Sequence, residues 1–286
     1  MISNHRILFK NAYTMREVAS RSVHLVVTSP PYPMIEMWDD LFCRRASVRK
    51  ALESRRGAAA FELMHQELDR VWGELDRVLV PGGIACINIG DATRTLDGEF
   101  ALYSNHSRIL SHMLWLGFNN LPNILWRKQT NAPNKFMGSG MLPSGAYVTL
   151  EHEYILIFRK GGKRPFDTQQ EKTNRRQSAF FWEERNAWFS DIWMDLKGTR
   201  QKTEDQQLRK RSGAYPFELA YRLICMFSVM GETVLDPFLG TGTTVLAAIA
   251  AGRDSVGYEV DKAFAPMTGQ GCQSAIELGR RRIGER

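Results

Sequence analysis

Short, branched apolar runs alternate along this chain with stretches whose apolar positions recur at helical spacing. Residues 23–28 (Val-His-Leu-Val-Val-Thr) form one such run and end in Ser-Pro-Pro. Proline has no N–H to give to a central ladder, so a buried strand must stop there. Residues 6–9 read as an earlier strand and 15–20 as a short helix. From Phe61 onward Met64, Leu68, Val71, Trp72, Leu75, Val78 and Leu79 repeat with helical period until Pro81-Gly82-Gly83 interrupts them, and 84–89 follows as a strand. A helix over 104–116 is stopped by Gly117, and strands over 121–126 and 154–158 come next. Beyond a long polar stretch the pattern resumes with a helix over 216–227, a strand over 233–235, a helix after Gly242, a strand over 255–258 and a last helix over 272–282. Strands alternating with helices predict an α/β fold built on a mainly parallel sheet.

The polar stretch covers 160–212, where Gln, Arg, Lys and Glu are interleaved with Phe180, Phe181, Trp182, Trp188, Phe189 and Trp193. It reads either as an insertion with its own small aromatic cluster or as an insert that touches nucleic acid. It divides the chain into 1–159, 160–212 and 213–286. Composition is that of one globular domain with insertions: 286 residues, 43% hydrophobic and 24% charged. No apolar run of about 18 residues appears, and residues 1–10 lack the layout of a signal peptide, so a soluble intracellular protein without membrane association is expected. Cys43, Cys86, Cys225 and Cys272 are far apart and form no CxxC pair, and the six histidines show no HxH or HExxH spacing. Neither a disulfide framework nor a metal centre is therefore expected.

A net charge of +7 suits a polyanionic partner. The cations are concentrated in Arg44, Arg45, Arg49, Lys50, Arg55 and Arg56, and again in Lys160, Lys163, Arg164, Lys172, Arg175, Arg176, Arg200, Lys202, Arg209, Lys210 and Arg211.

Two segments carry candidate chemistry. Asp236-Pro237-Phe238-Leu239-Gly240-Thr241-Gly242-Thr243 joins a strand to a helix through two glycines, which lets backbone approach a ligand at the carboxyl edge of a sheet. A dinucleotide fingerprint would need a third glycine where Val245 stands, and no GKT or GKS follows, so bound phosphate is not the best explanation. Glu259 ends the next strand, 17 residues beyond Gly242, and can accept both hydroxyls of a ribose. Taken alone it reads more readily as a solvated strand-end charge.

Thr28-Ser29-Pro30-Pro31-Tyr32 is the second segment. An amine conjugated to a base ring is a poor nucleophile, and its methylation needs acceptors that draw the amine hydrogens and direct the lone pair. The Ser29 hydroxyl and the Pro30 carbonyl are such acceptors, Pro30 and Pro31 hold them at a rigid turn, and Tyr32 can stack on a base rotated out of a duplex. Alone, the same residues describe a turn with a packed tyrosine.

Together these segments resemble the class I S-adenosylmethionine-dependent methyltransferases. The order, with the catalytic turn early, the glycine loop late and a polar insert between, resembles the beta class of DNA amino-methyltransferases of restriction-modification systems. The resemblance implies a Rossmann-like, mainly parallel seven-stranded sheet with circularly permuted motif order, and S-adenosyl-L-methionine as cofactor. It implies that Asp236 and residues 238–243 surround the methionine part and that Glu259 holds the ribose. Tyr215 and Pro216, within Ala214-Tyr-Pro-Phe-Glu-Leu219, would contact the methionine end. Family members often carry a histidine shortly before that proline, where this chain has Arg211-Ser212-Gly213. Asn11 would lie beside the adenine, where relatives often place an aspartate; it is equally a plain loop asparagine.

Serine at the head of the catalytic motif is usual for cytosine-N4 members, and aspartate for adenine-N6 members. The implied function is site-specific methyl transfer to cytosine N4 in double-stranded DNA by base flipping and direct in-line transfer. An adenine-N6 enzyme of the same class and a catalytically silent DNA-binding relative stand as alternatives, and Val245 weakens a nicotinamide oxidoreductase. Carbon-5 methylation needs a nucleophilic cysteine in a Pro-Cys motif that this chain lacks. Trp38, Glu36 and Asp39 either shape the pocket or simply pack. Sequence choice is expected in 160–212, aided by 129–145 and 40–59. The resemblance also implies a cognate restriction endonuclease, a homodimer and a cytoplasmic, nucleoid-associated setting in a prokaryote.

Overall fold

The computed structural model describes residues 3–128, 137–138, 141–198, 215–268 and 271–284. Its strands are β1 (His5–Leu8), β2 (Val23–Thr28), β3 (Leu79–Ile89), β4 (Ala92–Leu96), β5 (Glu99–Tyr103), β6 (Phe118–Arg127), β7 (Met137–Gly138), β8 (Ala146–Tyr147), β9 (His152–Lys160), β10 (Ile192–Trp193), β11 (Thr233–Asp236) and β12 (Asp254–Tyr258). Among the described residues, eight of them hydrogen-bond into one sheet in the order β1-β12-β11-β2-β3-β9-β6-β10. The first five are parallel, β9 runs antiparallel to both β3 and β6, and β10 lies parallel to β6. The expected seven strands become eight because Ile192 and Trp193 pair with Leu125 and Trp126 at the sheet's margin.

Strand β2 shows why its apolar run is nearly continuous. Val23 and Val26 enter the core on one face of the sheet, while Leu25 and Val27 enter the core on the other. The helix Gly57–Val78 covers the first face with Met64, Leu68, Val71, Trp72 and Leu75. The helices Phe217–Phe227 and Thr243–Ala251 cover the second. Cys86 and Cys225 are buried thiols, and Cys43 and Cys272 are partly so.

Several expectations are corrected. Residues 15–20 form turns instead of a helix. Arg77 donates to the carbonyls of Met15 (2.9 Å) and Val18 (3.0 Å), and Glu74 accepts from the Met15 N–H (2.7 Å), so a neighbouring helix satisfies the backbone groups that a local helix would have paired. Strand β3 begins at Leu79, ahead of Pro81-Gly82-Gly83, which sits in a bulge between the pairs Val23–Leu79 and Leu25–Ile84. Gly82 has a φ of 79°, and a Cβ there would lie 2.6 Å from the Arg164 nitrogen, so only glycine fits. The hairpin β4–β5 was not anticipated; Asp97 (φ 54°) and Gly98 (φ 79°) provide the left-handed pair that a two-residue turn requires.

The aromatic residues of 160–212 do not form a cluster of their own. Trp188, Trp193 and Leu196 join the second core. Trp126 Nε1 donates to the Leu196 carbonyl (2.9 Å), and Arg222 pairs with Asp195 (2.6 Å). Arg164, expected among DNA-facing cations, instead forms a largely buried ion pair with Glu232 (2.8 Å). Arg200, Lys202, Arg209, Lys210, Arg211, Ser212, Gly213, Ala214 and most of 129–140 lie outside the described residues. No described helix is long and apolar enough to cross a membrane.

Candidate functional site

Parallel strands present their carboxyl ends along one edge. Four neighbours there, β1, β12, β11 and β2, deliver Asn11, Glu259, the 236–243 loop and the 29–32 corner side by side. All of these elements line one cleft of about 800 Å³. Ser29, Pro30, Pro31 and Tyr32 are all on its wall, as are Asn11, Tyr215, Asp236, Pro237, Phe238, Leu239, Gly240, Thr241, Thr243 and Glu259. Two expected cofactor residues are not on that wall. Pro216 caps the helix Phe217–Phe227, and Gly242, at φ 89°, caps Thr243–Ala251. Trp38 also lines the cleft; Glu36 and Asp39 do not, and Asp39 forms a two-pronged pair with Arg94 (2.8 and 2.7 Å).

Asp236 joins the two chemical segments. Its Oδ1 accepts from Thr28 Oγ1 (2.6 Å) and from the Phe238 N–H (3.0 Å), and its Oδ2 accepts from Tyr215 Oη (3.2 Å) and Thr244 Oγ1. Burial pushes the Asp236 carboxyl above its ordinary range, and these four donors partly offset that. The Tyr215 phenol is raised well above its usual value by burial and then by Asp236. The residue before the 29–32 corner and the first residue of the glycine loop are thus bonded to each other.

Glu259 accepts from the Gly240 N–H at Oε2 and from the Asp261 N–H at Oε1, both at 2.7 Å. Burial raises its carboxyl as well, and the two backbone donors oppose the rise. A carboxylate oxygen can take a second donor, so each retains acceptor capacity. Asn11 Oδ1 accepts from the Tyr13 N–H (3.2 Å), closing a small side-chain turn.

The corner itself is tightly held. Ile35 N–H donates to the Tyr32 carbonyl (3.2 Å) across Pro33 and Met34, and Met34 takes the left-handed φ of 69°, a strained conformation for a non-glycine residue. Asn105, fixed by His65 Nε2 (2.9 Å), donates to the carbonyls of Pro33 (3.1 Å) and Gly90 (3.0 Å). Ser29 Oγ lies 3.1 Å from Tyr32 Oη, which lies 3.0 Å from Glu153 Oε2. Asn88 Nδ2 donates to both Tyr32 Oη (2.9 Å) and Glu153 Oε2 (2.7 Å), and Lys128 pairs with Glu153 Oε1 (2.7 Å). Burial, then the Glu153 charge, holds the Tyr32 phenol well above its ordinary value.

Asn88, Glu153 and Lys128 were not picked out from the sequence. The available signal was a polar residue interrupting an apolar strand: Asn88 inside 84–89, and Glu153 just before 154–158. Glu153 reaches this edge because β9 runs backwards, so its start lies beside the ends of its neighbours. Of the basic positions, Arg44 and Arg45 line the cleft, with Arg45 paired to Glu67 (3.0 Å), while Arg55 is engaged by Asp97.

The sequence pattern of a protein family described as DNA methylase, of the N6/N4 type, matches residues 23–270. The type II methyltransferase M.MthZI of Methanothermobacter thermautotrophicus is 55% identical over 97% of this chain and 79% of its own length. M.MjaI of Methanocaldococcus jannaschii is 50% identical over 99% of this chain and 94% of its own. The crystal structure of TTHA0409 from Thermus thermophilus, described as a putative DNA modification methylase and complexed with S-adenosyl-L-methionine, superimposes with a TM-score of 0.72 at 33% identity, over 95% of this chain and 96% of that one.

Proposed function

Since the chain belongs to the N6/N4 DNA methylase family, we propose that it transfers the methyl group of S-adenosyl-L-methionine to an exocyclic amino group in double-stranded DNA, with cytosine N4 as the target. The observation that carries this reading is the 2.6 Å hydrogen bond between Thr28 and Asp236, which sets the 29–32 corner and the glycine loop together on one cleft.

The cleft fits the cofactor. Its volume of about 800 Å³ lies within the roughly 300–1,000 Å³ of small-molecule sites. Gly240, at φ 54°, leaves open space where a Cβ would stand, so the loop backbone can be approached closely. Glu259, pre-oriented by two backbone donors and partly desolvated, gains from accepting two ribose hydroxyls. Asn11 would border the base end. Tyr215, Asp236 and residues 237–243 would enclose the amino-acid end, with Pro216 and Gly242 acting by fixing where two helices begin. When bound, S-adenosyl-L-methionine supplies a methyl group activated by a positively charged sulfur.

The protein's own part is acceptance and exclusion. Ser29 Oγ and the Pro30 carbonyl take the amine hydrogens, the diproline keeps both in place, and the Tyr32 ring meets the extruded base. Ser29 in place of aspartate supports cytosine as the target, because a neutral hydroxyl heads the motif in the enzymes that this corner resembles. Rotating a base out of the duplex costs about a few kcal/mol, which phosphate contacts and stacking must offset. We assign those contacts to 160–212, where Arg175, Arg176, Phe181 and Trp182 are exposed, Trp182 at 72%. A nuclease cutting the same sequence and a second copy of the chain are the associations we expect.

The test is methyl transfer from labelled cofactor into mixed-sequence duplex DNA, followed by mass spectrometry of the nucleosides. N4-methylcytosine is expected. N6-methyladenine in its place would overturn the target, and absence of any transferred label would overturn the function.

A further inference from the structure

Resting on that reading, we infer that Glu153 takes up the proton that the target amine must lose, receiving it through Ser29 and Tyr32. The direction of every hydrogen in the network follows from its one carboxylate. An ionised carboxylate only accepts, so Tyr32 Oη uses its single proton on Glu153 Oε2, 3.0 Å away. Ser29 Oγ, 3.1 Å from Tyr32 Oη, must then be the donor in that pair. Asn88 donates to both Tyr32 and Glu153 (2.9 and 2.7 Å), since the reverse amide orientation would set its carbonyl against the carboxylate. With its own hydrogen committed to Tyr32, Ser29 has only lone pairs left for a ligand in the cleft, and these suit an amine N–H. Lys128, 2.7 Å from Oε1, donates to the other carboxylate oxygen and leaves Oε2 to Tyr32 and Asn88.

The chemistry balances. The nitrogen–methyl bond forms as the carbon–sulfur bond breaks, the pair of electrons from the broken bond stays on sulfur, and the amine nitrogen is left cationic. One N–H proton passes to Ser29 Oγ as the serine proton passes to Tyr32 Oη and the tyrosine proton to Glu153 Oε2. The base and both hydroxyls end neutral, and Glu153 ends as a carboxylic acid. It lines the cleft, so it returns the proton to solvent once the products leave. The high proton affinity of the buried phenol suits this role, because Tyr32 then carries a proton in transit without becoming a resting phenolate.

Glu153 acts through Tyr32 and is a positioning and proton-accepting residue, so its test must separate chemistry from architecture. Single-turnover methyl transfer into plasmid DNA is followed against pH for the wild type, Glu153→Gln, Tyr32→Phe and the double variant, with cofactor affinity by calorimetry and unfolding midpoints alongside. The wild-type rate should fall as pH drops through the carboxylate range. Glu153→Gln should lower the rate about 10²-fold and abolish this acid limb, with cofactor affinity and unfolding midpoint kept. Tyr32→Phe should do the same, and the double variant should be no worse than the poorer single, because one broken link suffices. A Glu153→Gln protein with the wild-type rate or acid limb, or losses that multiply in the double variant, would overturn the relay while leaving the methyltransferase reading intact. A wild-type protein that binds the cofactor yet methylates no DNA would overturn both. If Glu153→Gln does not fold, Tyr32→Phe decides: loss of the acid limb supports the relay, and its retention refutes it.

Discussion

Asp236 and Glu153 lie at the same edge of the sheet and are surrounded in opposite ways. Asp236 is buried among three hydroxyls and one amide, and no cation pairs with it among the described residues. Glu153 has a lysine on one oxygen, and on the other an amide and a phenol that leads to Ser29. Four neutral donors from separate elements make a carboxylate a tie; a change in its protonation would loosen every element at once. A cation and a single hydroxyl chain make a carboxylate that can change protonation without unlocking the fold. Position at the sheet edge therefore does not assign a role to an acid; the company it keeps does.

The sharpest way to break the contrast is at the far end of the Glu153 chain. Ser29→Ala should lower turnover about 10²- to 10³-fold with cofactor affinity unchanged, the pattern of a contact made at the reacting amine. Single-turnover kinetics with calorimetry checks this, and unchanged turnover would remove Ser29 from the chemistry. Asp236→Ala should act oppositely, through structure: Thr28, Tyr215, Thr244 and the Phe238 amide lose their shared acceptor, costing about 3 kcal/mol in urea unfolding and abolishing cofactor binding.

A smaller effect comes from behind the corner. Burial lowers the His65 pKa to about 3. The unfolded chain therefore takes up a proton below about pH 6.5 that the folded chain refuses, and stability falls with acidity across that window by at most about 1.4 kcal/mol per pH unit. Urea midpoints at pH 7 and pH 5 should differ by less in His65→Gln than in the wild type, and equal differences would show that His65 carries no part of the slope. The smallest effect is expected at Lys128, whose side chain is 38% exposed. Lys128→Met should slow methyl transfer only about two- to five-fold, as for other solvent-screened ion pairs.

Much of this architecture was legible from the chain because local rules and tertiary context agree. The branched run at 23–28, the stop at Gly117 (φ 87°) and the two-glycine turn after β11 are decided within a few residues of themselves. The corrections fall where distant residues intervene. Residues 15–20 are turns because Arg77 and Glu74 serve their backbone. Trp188 and Trp193 looked like an island because an aromatic run does not say which core will accept it. In the site, the contiguous corner and loop could be read directly. The Tyr32–Glu153 contact joins positions 121 residues apart and exists only because one strand of the sheet is reversed. No short pattern encodes that meeting.

The two-residue strand Ile192–Trp193 bears on how freely the segment around it could be exchanged. Trp188 stands edge-on to Tyr221, and Arg222 lies over the Trp193 ring while gripping Asp195. Transplanting 160–198 wholesale from another protein would take Asp195 from the buried Arg222, leaving it Glu218 (3.3 Å), and would remove a wall of the core. Substitutions that spare these anchors fall on the outward positions, Arg175, Arg176 and Trp182 among them.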